Sequence, residues 1–317
     1  MIKYYRGYRK YLKEKSLSKS YNVKFFNFWE EKTENRWFYR FVQSRGLLKS
    51  HPKTILSFFS VFGNHNVIDW NKSDVKVFFT GENLQSGFYS SYSDHALHHK
   101  SIDLALGFEY LNNDRYLRFP LWILYVFKPD AQEEEIRKRC EELCSPNFNL
   151  RSNFAAHISR GDFLGIRRNI CENLSNIEKV DCAGNFLHND DSLWQKYKDD
   201  KYEYLKNYKF NICPENSDTN GYVTEKIFQS IEAGCIPVYW GSSNNLESKI
   251  LNRDAILFWE QKGDNSKTIE FIRELNEKPQ LLSDFSMQPR LKNTAAETII
   301  GMFDELERKM NEIIERK

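Results

Sequence analysis

The sequence predicts a two-domain α/β protein built on parallel sheets. Three observations carry that expectation. Short apolar segments recur along the 317 residues, and several are separated by amphipathic stretches of about 10 residues, the pattern of parallel strands linked by helices. At roughly 150 residues per domain, the length corresponds to about two domains. A loop of Pro, Glu, Asn, Ser, Asp and Gly follows the apolar run Tyr208–Cys213, as at the strand ends where open α/β sheets bind ligands.

The elements follow in order. Residues 1–20 are rich in Lys, Tyr and Ser and show no clear core stripe. They read as a solvated arm or a short helix, and their basic, aromatic character also suits an anionic membrane face. Val23–Trp29 is the first strand, dominated by aromatic and branched residues. Thr54–Phe62 is a second apolar segment, helix or strand. Val75–Phe79 is a buried strand ended by Thr80-Gly-Glu-Asn83, and Ile102–Phe108 is another. Asp130–Asn149 begins charged and ends in Ser-Pro-Asn-Phe-Asn, a helix followed by a linker. A second unit then supplies strands at Phe154–Ile158, Val180–Cys182, Tyr208–Cys213, Ile236–Trp240 and Ala255–Trp259. Helices are expected at Gly165–Leu174, where Ile166, Ile170 and Leu174 recur every four residues, and at Thr224–Ala233. Asn293–Lys317 is one long amphipathic helix or two. The expected division is residues 1–149, residues 150–290, and a C-terminal helix at 291–317 that packs back on the first domain.

Composition narrows the partners. Lys plus Arg is 46 and Asp plus Glu is 44, a formal +2, so nothing pulls the chain as a whole toward nucleic acid. Hydrophobic residues at 40% and charged residues at 28% exclude a disordered chain. Six cysteines in this length do not make a disulfide framework, and Cys140 and Cys144 have no second pair at zinc-ribbon spacing. Reduced thiols are expected. No apolar run reaches the roughly 18 residues of a spanning helix, and the start carries charge without an apolar signal region. The expected location is cytoplasmic, with room for peripheral contact on the inner membrane face. The acceptor-like Asn71-Lys-Ser73 and Asn173-Leu-Ser175 are then chance matches.

Three places carry candidate chemistry. In the loop and helix from Glu215, Thr224 is the expected N-cap and Val223, Ile227, Phe228 and Ile231 the buried stripe. Lys226 stands in the first helical turn, where a cation opposes the macrodipole. It either faces a bound phosphate at the helix start or points to solvent, offset by Glu225. Arg167 and Arg168 stand near the start of the helix after Phe154–Ile158. Adjacent residues point about 100° apart, so only one can face a given site, and a guanidinium fork suits phosphate. Glu82 follows a buried strand and is either a general base or the cap of a following helix. His95, His98 and His99 have helical metal-ligand spacing, but a surface segment is expected there. The pairs Asp190-Asp191 and Asp199-Asp200 lie in a polar, lysine-bearing stretch rather than a strand-end loop, so no metal site is expected.

Taken together these residues resemble the α1,3/4-fucosyltransferases, glycosyltransferase family ten, in their bacterial type. The resemblance rests on Glu-Asn-Ser followed by Gly-Tyr-Val-Thr-Glu-Lys-Ile and a Pro-Val-Tyr-Trp-Gly strand between Glu215 and Gly241. It rests also on Val23–Trp29, on Phe-Phe-Thr-Gly-Glu-Asn at 78–83, on Asp-Arg-Tyr-Leu-Arg-Phe-Pro-Leu-Trp at 114–122, and on the Arg167 helix before Val180-Asp-Cys-Ala-Gly184. It spans about residues 21–260. It implies a GT-B-like α/β fold of two Rossmann-like domains with a cleft between them. It implies an inverting transfer of L-fucose from GDP-fucose to the N-acetylglucosamine of an N-acetyllactosamine-type glycan, α1,3 or α1,4, in bacterial surface polysaccharide synthesis. No divalent metal is required in that reading. By matching position, Arg167 and Lys226 hold the diphosphate and Glu82 is the base. Glu215, Asn216, Tyr222, Val223, Thr224 and Glu225 line the nucleotide-sugar pocket. A different nucleotide-linked deoxysugar, or a glycan-binding module without catalysis, are the alternative expectations.

Overall fold

The computed structural model describes residues 2–87, 89–92, 99–144 and 151–317. Among them ten strands form two five-stranded sheets, with every strand pair parallel. The chain divides into one unit of residues 1–134 and 299–317 and a second of residues 135–298.

In the first unit β1 (Val23–Phe26), β2 (Leu56–Phe59), β3 (Val75–Phe79), β4 (Leu104–Gly107) and β5 (Tyr116–Arg118) lie in sequence order. Helices α1 (Ile2–Leu17), α2 (Trp37–Ser44), α3 (Val67–Trp70) and α4 (Trp122–Val126) belong to the same unit. The Thr54–Phe62 segment is a strand: β2 is buried at all four positions, as parallel strands covered on both faces must be. The first strand is shorter than expected. Asn27 turns the chain with φ 56°, and its side chain donates to the Asn64 carbonyl and the Tyr92 hydroxyl. Much of the aromatic content sits in this core. Phe25 stacks on Phe58 at 5.2 Å and Phe26 on Phe59 at 5.5 Å between ring centroids.

Residues 1–20 are not a solvated arm. Tyr11 is buried against Phe26 and Trp70, and its hydroxyl donates to the Trp70 carbonyl at 3.0 Å. The helix alternative is the one the structure takes; among its described side chains Tyr11 is the one buried aromatic, too little to show as a stripe.

The second unit holds helices α5 (Glu133–Cys144, entering from the first), α6 (Ile166–Leu174), α7 (Ser192–Gln195), α8 (Lys201–Leu205), α9 (Glu225–Glu232), α10 (Ser266–Glu277) and α11 (Pro279–Ser286). The last helix, α12 (Ala295–Glu315), runs on from it. Its Phe303 packs on Trp37, Phe119 and Phe127, and Lys309 donates to the Asp114 carbonyl, all in the first unit.

Strands β6 (Asn153–His157), β7 (Val180–Cys182), β8 (Tyr208–Ile212), β9 (Ile236–Tyr239) and β10 (Leu257–Phe258) take the order β10-β9-β8-β6-β7. The order therefore reverses between β6 and β8. The chain leaves β6 toward β7 on one side and β8 toward β9 on the other, so the loops diverge there and open a crevice at the carboxyl ends. This topological feature places the site.

Candidate active site

Two segments meet at the switch point: the loop from β6 into α6, and the loop from β8 into α9. Glu215, just past β8, is 1% exposed. One carboxylate oxygen accepts the Thr224 N–H at 2.7 Å; the other accepts the Thr224 hydroxyl at 2.7 Å and Lys226 Nζ at 3.0 Å. The Tyr239 hydroxyl reaches the first oxygen at 3.5 Å. Glu215 was expected to line the nucleotide-sugar pocket. With both oxygens engaged inside the protein, it instead holds the start of α9 and its lysine.

Thr224 occupies the N-cap position but makes no side-chain cap bond. Its hydroxyl donates to Glu215 and accepts from Lys226 at 2.9 Å. A tertiary partner has overridden the local capping rule. Lys226 does not point away to solvent. It turns back on the buried carboxylate, with a quarter of its side chain still exposed. Burial opposes its charge, but Glu215 and Glu225 outweigh burial and raise its pKa. Tyr222 and Val223 are buried, Glu225 is half-buried, and the Val223 N–H donates to the Gly221 carbonyl in a tight turn.

The turn after β9 locks this loop from outside. Gly241 has φ 133°, and a Cβ there would stand 2.8 Å from Cβ and Cγ of Glu215. Only glycine lets the two backbones close on the carboxylate. Ser242 accepts the Gly221 N–H, and the Ser243 N–H donates to Asp218.

Arg167, at the start of α6, is buried, and Arg168 is exposed and paired with Glu172 at 3.1 Å. The Arg167 guanidinium donates to the Gly161 carbonyl and, at 2.7 Å, to Asn216 Oδ1. Burial pulls its pKa down, against the attraction of Asp162 and Glu215. Arg167, Asn216, Glu215, Thr224 and Lys226 thus form one contiguous group at the carboxyl ends of β6 and β8. Lys226 pairs with the buried Glu215, with Glu225 beside it, and Arg167 is held near Asp162 and Glu215; the two cations are the groups of this cluster that suit an anionic ligand.

Sequence reading missed His157. It ends β6, is 2% exposed, and bridges the switch point: Nδ1 bonds the Ile212 carbonyl of β8 at 2.9 Å and Nε2 the Ser159 hydroxyl at 2.8 Å. The carbonyl only accepts, so Nδ1 carries the proton and Nε2 accepts. Burial, with help from Arg167, lowers its pKa to about 4. A polar residue at the end of an otherwise apolar strand was the available signal. Next to it, a Cβ on Gly184 would lie 2.1 Å from the Ser159 carbonyl oxygen, so glycine is required for the backbones to meet.

Glu82 lies in the first unit, past the end of β3, and is half-buried. Its N–H donates to the Thr80 hydroxyl at 3.0 Å, which in turn donates to the Glu82 carbonyl at 2.8 Å. Gly81 is pressed against Leu121, where a Cβ would come within 2.8 Å. Among the described residues no helix follows directly. Asn83 accepts the Gln85 N–H and shapes the turn instead, so the capping alternative for Glu82 fails.

His95 and His98 lie outside the described residues. His99 is engaged with Asp69 at 3.1 Å and Ser101 at 2.7 Å. Among the described residues no group of three or more His, Cys, Asp or Glu side chains is placed to hold a metal, and no helix is long and apolar enough to cross a membrane. All six cysteines are free thiols.

Comparison with known proteins matches this geometry to a family. Residues 23–125 match the α-(1,3)-fucosyltransferase FucT N-terminal domain, and residues 149–287 match the glycosyltransferase family 10 (fucosyltransferase) C-terminal region. The α-(1,3)-fucosyltransferase FucT of Helicobacter pylori is 30% identical over 213 residues, 57% of this chain and 41% of that one. The chain therefore spans under half the length of that relative. A crystal structure of an α1,3-fucosyltransferase superposes with a TM-score of 0.60 at 21% identity, over 90% of this chain and 89% of the other. A crystal structure titled α1,3-fucosyltransferase with GDP-fucose superposes at 0.56 and 22% identity, with the same coverage. The fold is α/β and GT-B-like, and the chain belongs to glycosyltransferase family 10, the fucosyltransferase family.

Proposed function

We propose that this chain transfers L-fucose from GDP-fucose, with inversion, to the N-acetylglucosamine of an N-acetyllactosamine-type glycan in an α1,3 or α1,4 linkage. The setting proposed is bacterial surface polysaccharide synthesis on the cytoplasmic side. The observation that carries the reading is the convergence of Arg167 and Lys226 at the switch point, linked through Asn216 and Glu215. The family supports it, as does a structural neighbour titled as a complex with GDP-fucose.

In this reading Arg167 and Lys226 bind the diphosphate, and Asn216, Tyr222, Val223 and Glu225 border the nucleotide-sugar. The acceptor hydroxyl oxygen attacks the fucose anomeric carbon opposite GDP. Its proton passes to Glu82, and the bond from that carbon to the β-phosphate oxygen breaks, its electron pair leaving with GDP. The transition state is oxocarbenium-like. Negative charge grows on the leaving phosphate, so two fixed cations stabilise the transition state more than bound substrate. Their existing hydrogen bonds hold them in place beforehand, which limits reorganisation during the reaction.

The test is GDP release from GDP-fucose with and without N-acetyllactosamine, in the presence of a chelator. Acceptor-dependent release with a fucosylated product supports donor, acceptor and metal independence together. Release only from another GDP-linked sugar reassigns the donor. Absence of GDP binding overturns the reading.

A further inference from the structure

The balanced charge of the chain conceals a local excess. Residues 2–19 carry seven Lys and Arg against one acid, Glu14, a formal +6, which leaves the remainder at −4. Helix α1 sorts these charges by face. Its inner side is fixed by residues spaced three or four apart. Gly7 lies against Asn64, Tyr11 is buried, the Glu14 carboxylate accepts the Asn27 N–H at 3.3 Å, and Ser18 beyond the helix end is buried. The single acid is thereby turned inward. The outer side presents Arg6, Arg9 and Lys13, all exposed, together with Leu12 and Leu17 at 45% and 71% exposure, while Tyr8 on the flank packs on Tyr11 and Trp70.

We propose that this outer face of α1 docks on an anionic lipid bilayer. The exposed leucines decide the partner class. Cations alone would serve any polyanion, but leucines projecting among them gain only where a headgroup layer gives way to acyl chains. From Arg6 to Lys13 the exposed basic residues span about 10 Å of the helix, and each basic side chain adds to attraction by an anionic leaflet. The placement has a consequence. Along its middle, at Gly7 and Lys10, α1 meets the segment past the carboxyl end of β2, with Lys10 donating to the Phe62 carbonyl at 2.6 Å. The loop bearing Glu82 leaves β3 at that same end of the sheet. A bilayer along α1 thus favours an acceptor carried on a lipid; this consequence rests on the proposed transferase activity, whereas the docking itself does not.

The experiment is cosedimentation of the full chain with vesicles of phosphatidylcholine, with and without 30% phosphatidylglycerol (about one anionic lipid in three), at low and high salt. Binding to the anionic vesicles alone is expected, weakened by salt. Each basic residue is worth about fivefold in partition, so R6Q/R9Q/K13Q is expected to lose about 100-fold with thermal unfolding unchanged. L12S/L17S is expected to remove the binding that survives high salt. No binding to anionic vesicles, or full binding by the triple variant, overturns the proposal. Equal binding to a DNA duplex that L12S/L17S leaves intact would make α1 a general polyanion site, and overturns it too.

Discussion

Replacing Lys226 with alanine removes a cation from the site and a partner from a buried carboxylate, and the two effects separate. In the wild-type chain Lys226 Nζ lies 3.0 Å from Glu215 and 2.9 Å from the Thr224 hydroxyl. Breaking a buried ion pair from one side costs about 3–5 kcal/mol, because the remaining charge is stranded. Glu215 keeps two donors from Thr224, and Lys226 keeps a quarter of its side chain in water, so the cost falls to or below the bottom of that range, about 2–3 kcal/mol. At about 2–4 °C per kcal/mol, thermal unfolding should fall by roughly 5–10 °C. Adding Glu215→Gln to a Lys226→Met background should cost less than the two single changes summed, by about 1–3 kcal/mol, the signature of direct coupling. Turnover of Lys226→Ala, measured well below its unfolding temperature, should drop about 10²–10³-fold. A lysine that met only a ligand would leave the fold undisturbed on removal; the buried Glu215 makes the stability loss part of the prediction. Unfolding within about 1 °C of wild type, or additive single and double costs, would refute the ion-pair argument. Unchanged GDP affinity and turnover would refute the phosphate role.

Arg167→Ala should weaken GDP binding in calorimetry, with turnover lower by a similar 10²–10³-fold order; unchanged affinity counts against the assignment. Glu82→Gln should leave GDP affinity unchanged and lower transfer by about 10²–10⁴-fold, and wild-type turnover would dismiss Glu82 as the base. Gly241→Ala forces a side chain into a φ of 133° and against Glu215, so a loss of about 1–3 kcal/mol is expected in denaturant unfolding, and full stability would contradict the packing. His157 has a folded pKa of about 4 against about 6.5 unfolded. The unfolded chain then binds the extra proton, so the contribution is whole above pH 6.5 and is lost as pH falls toward 4, about 3 kcal/mol in all. Urea unfolding between pH 7 and pH 4 should show a steeper decline for wild type than for His157→Gln, and parallel curves would reject it.

The strands were readable where burial on both faces makes a continuous apolar run, as in Val75–Phe79. β5 was not readable as a strand, because it is three residues long and ends in Arg118. Helices α7 and α8 hide in the polar stretch after Cys182, where a few buried residues such as Leu193, Tyr204 and Leu205 hold them. Helices α10 and α11 were not anticipated, although Ile272, Leu275, Leu282 and Phe285 complete the second core. At the site, Arg167 and Lys226 stood out through residue type and position, and Asn216 only through the family resemblance. Their partners did not. The Glu215–Thr224 link spans nine residues and the His157–Ile212 link 55, and local pattern carries no information about which distant backbone group a side chain will meet.

That division has a physical cause. A residue that meets a ligand must sit where loops leave a sheet, and strand ends are visible in sequence. A residue that holds such a side chain only has to be within reach in the folded chain. Glu215 shows the difference. It stands inside the most family-specific segment, yet burial and four hydrogen-bonding contacts turn it toward Lys226 and the start of α9 rather than toward a ligand. Glutamine at this position is nearly isosteric but brings a donor into a pocket where Thr224 and Lys226 already donate. The variant should therefore lower stability as well as turnover, whereas loss of a group that only touches the donor would lower turnover alone. Equal unfolding of Glu215→Gln and wild type, alongside weakened GDP binding, would return Glu215 to the ligand-contacting set.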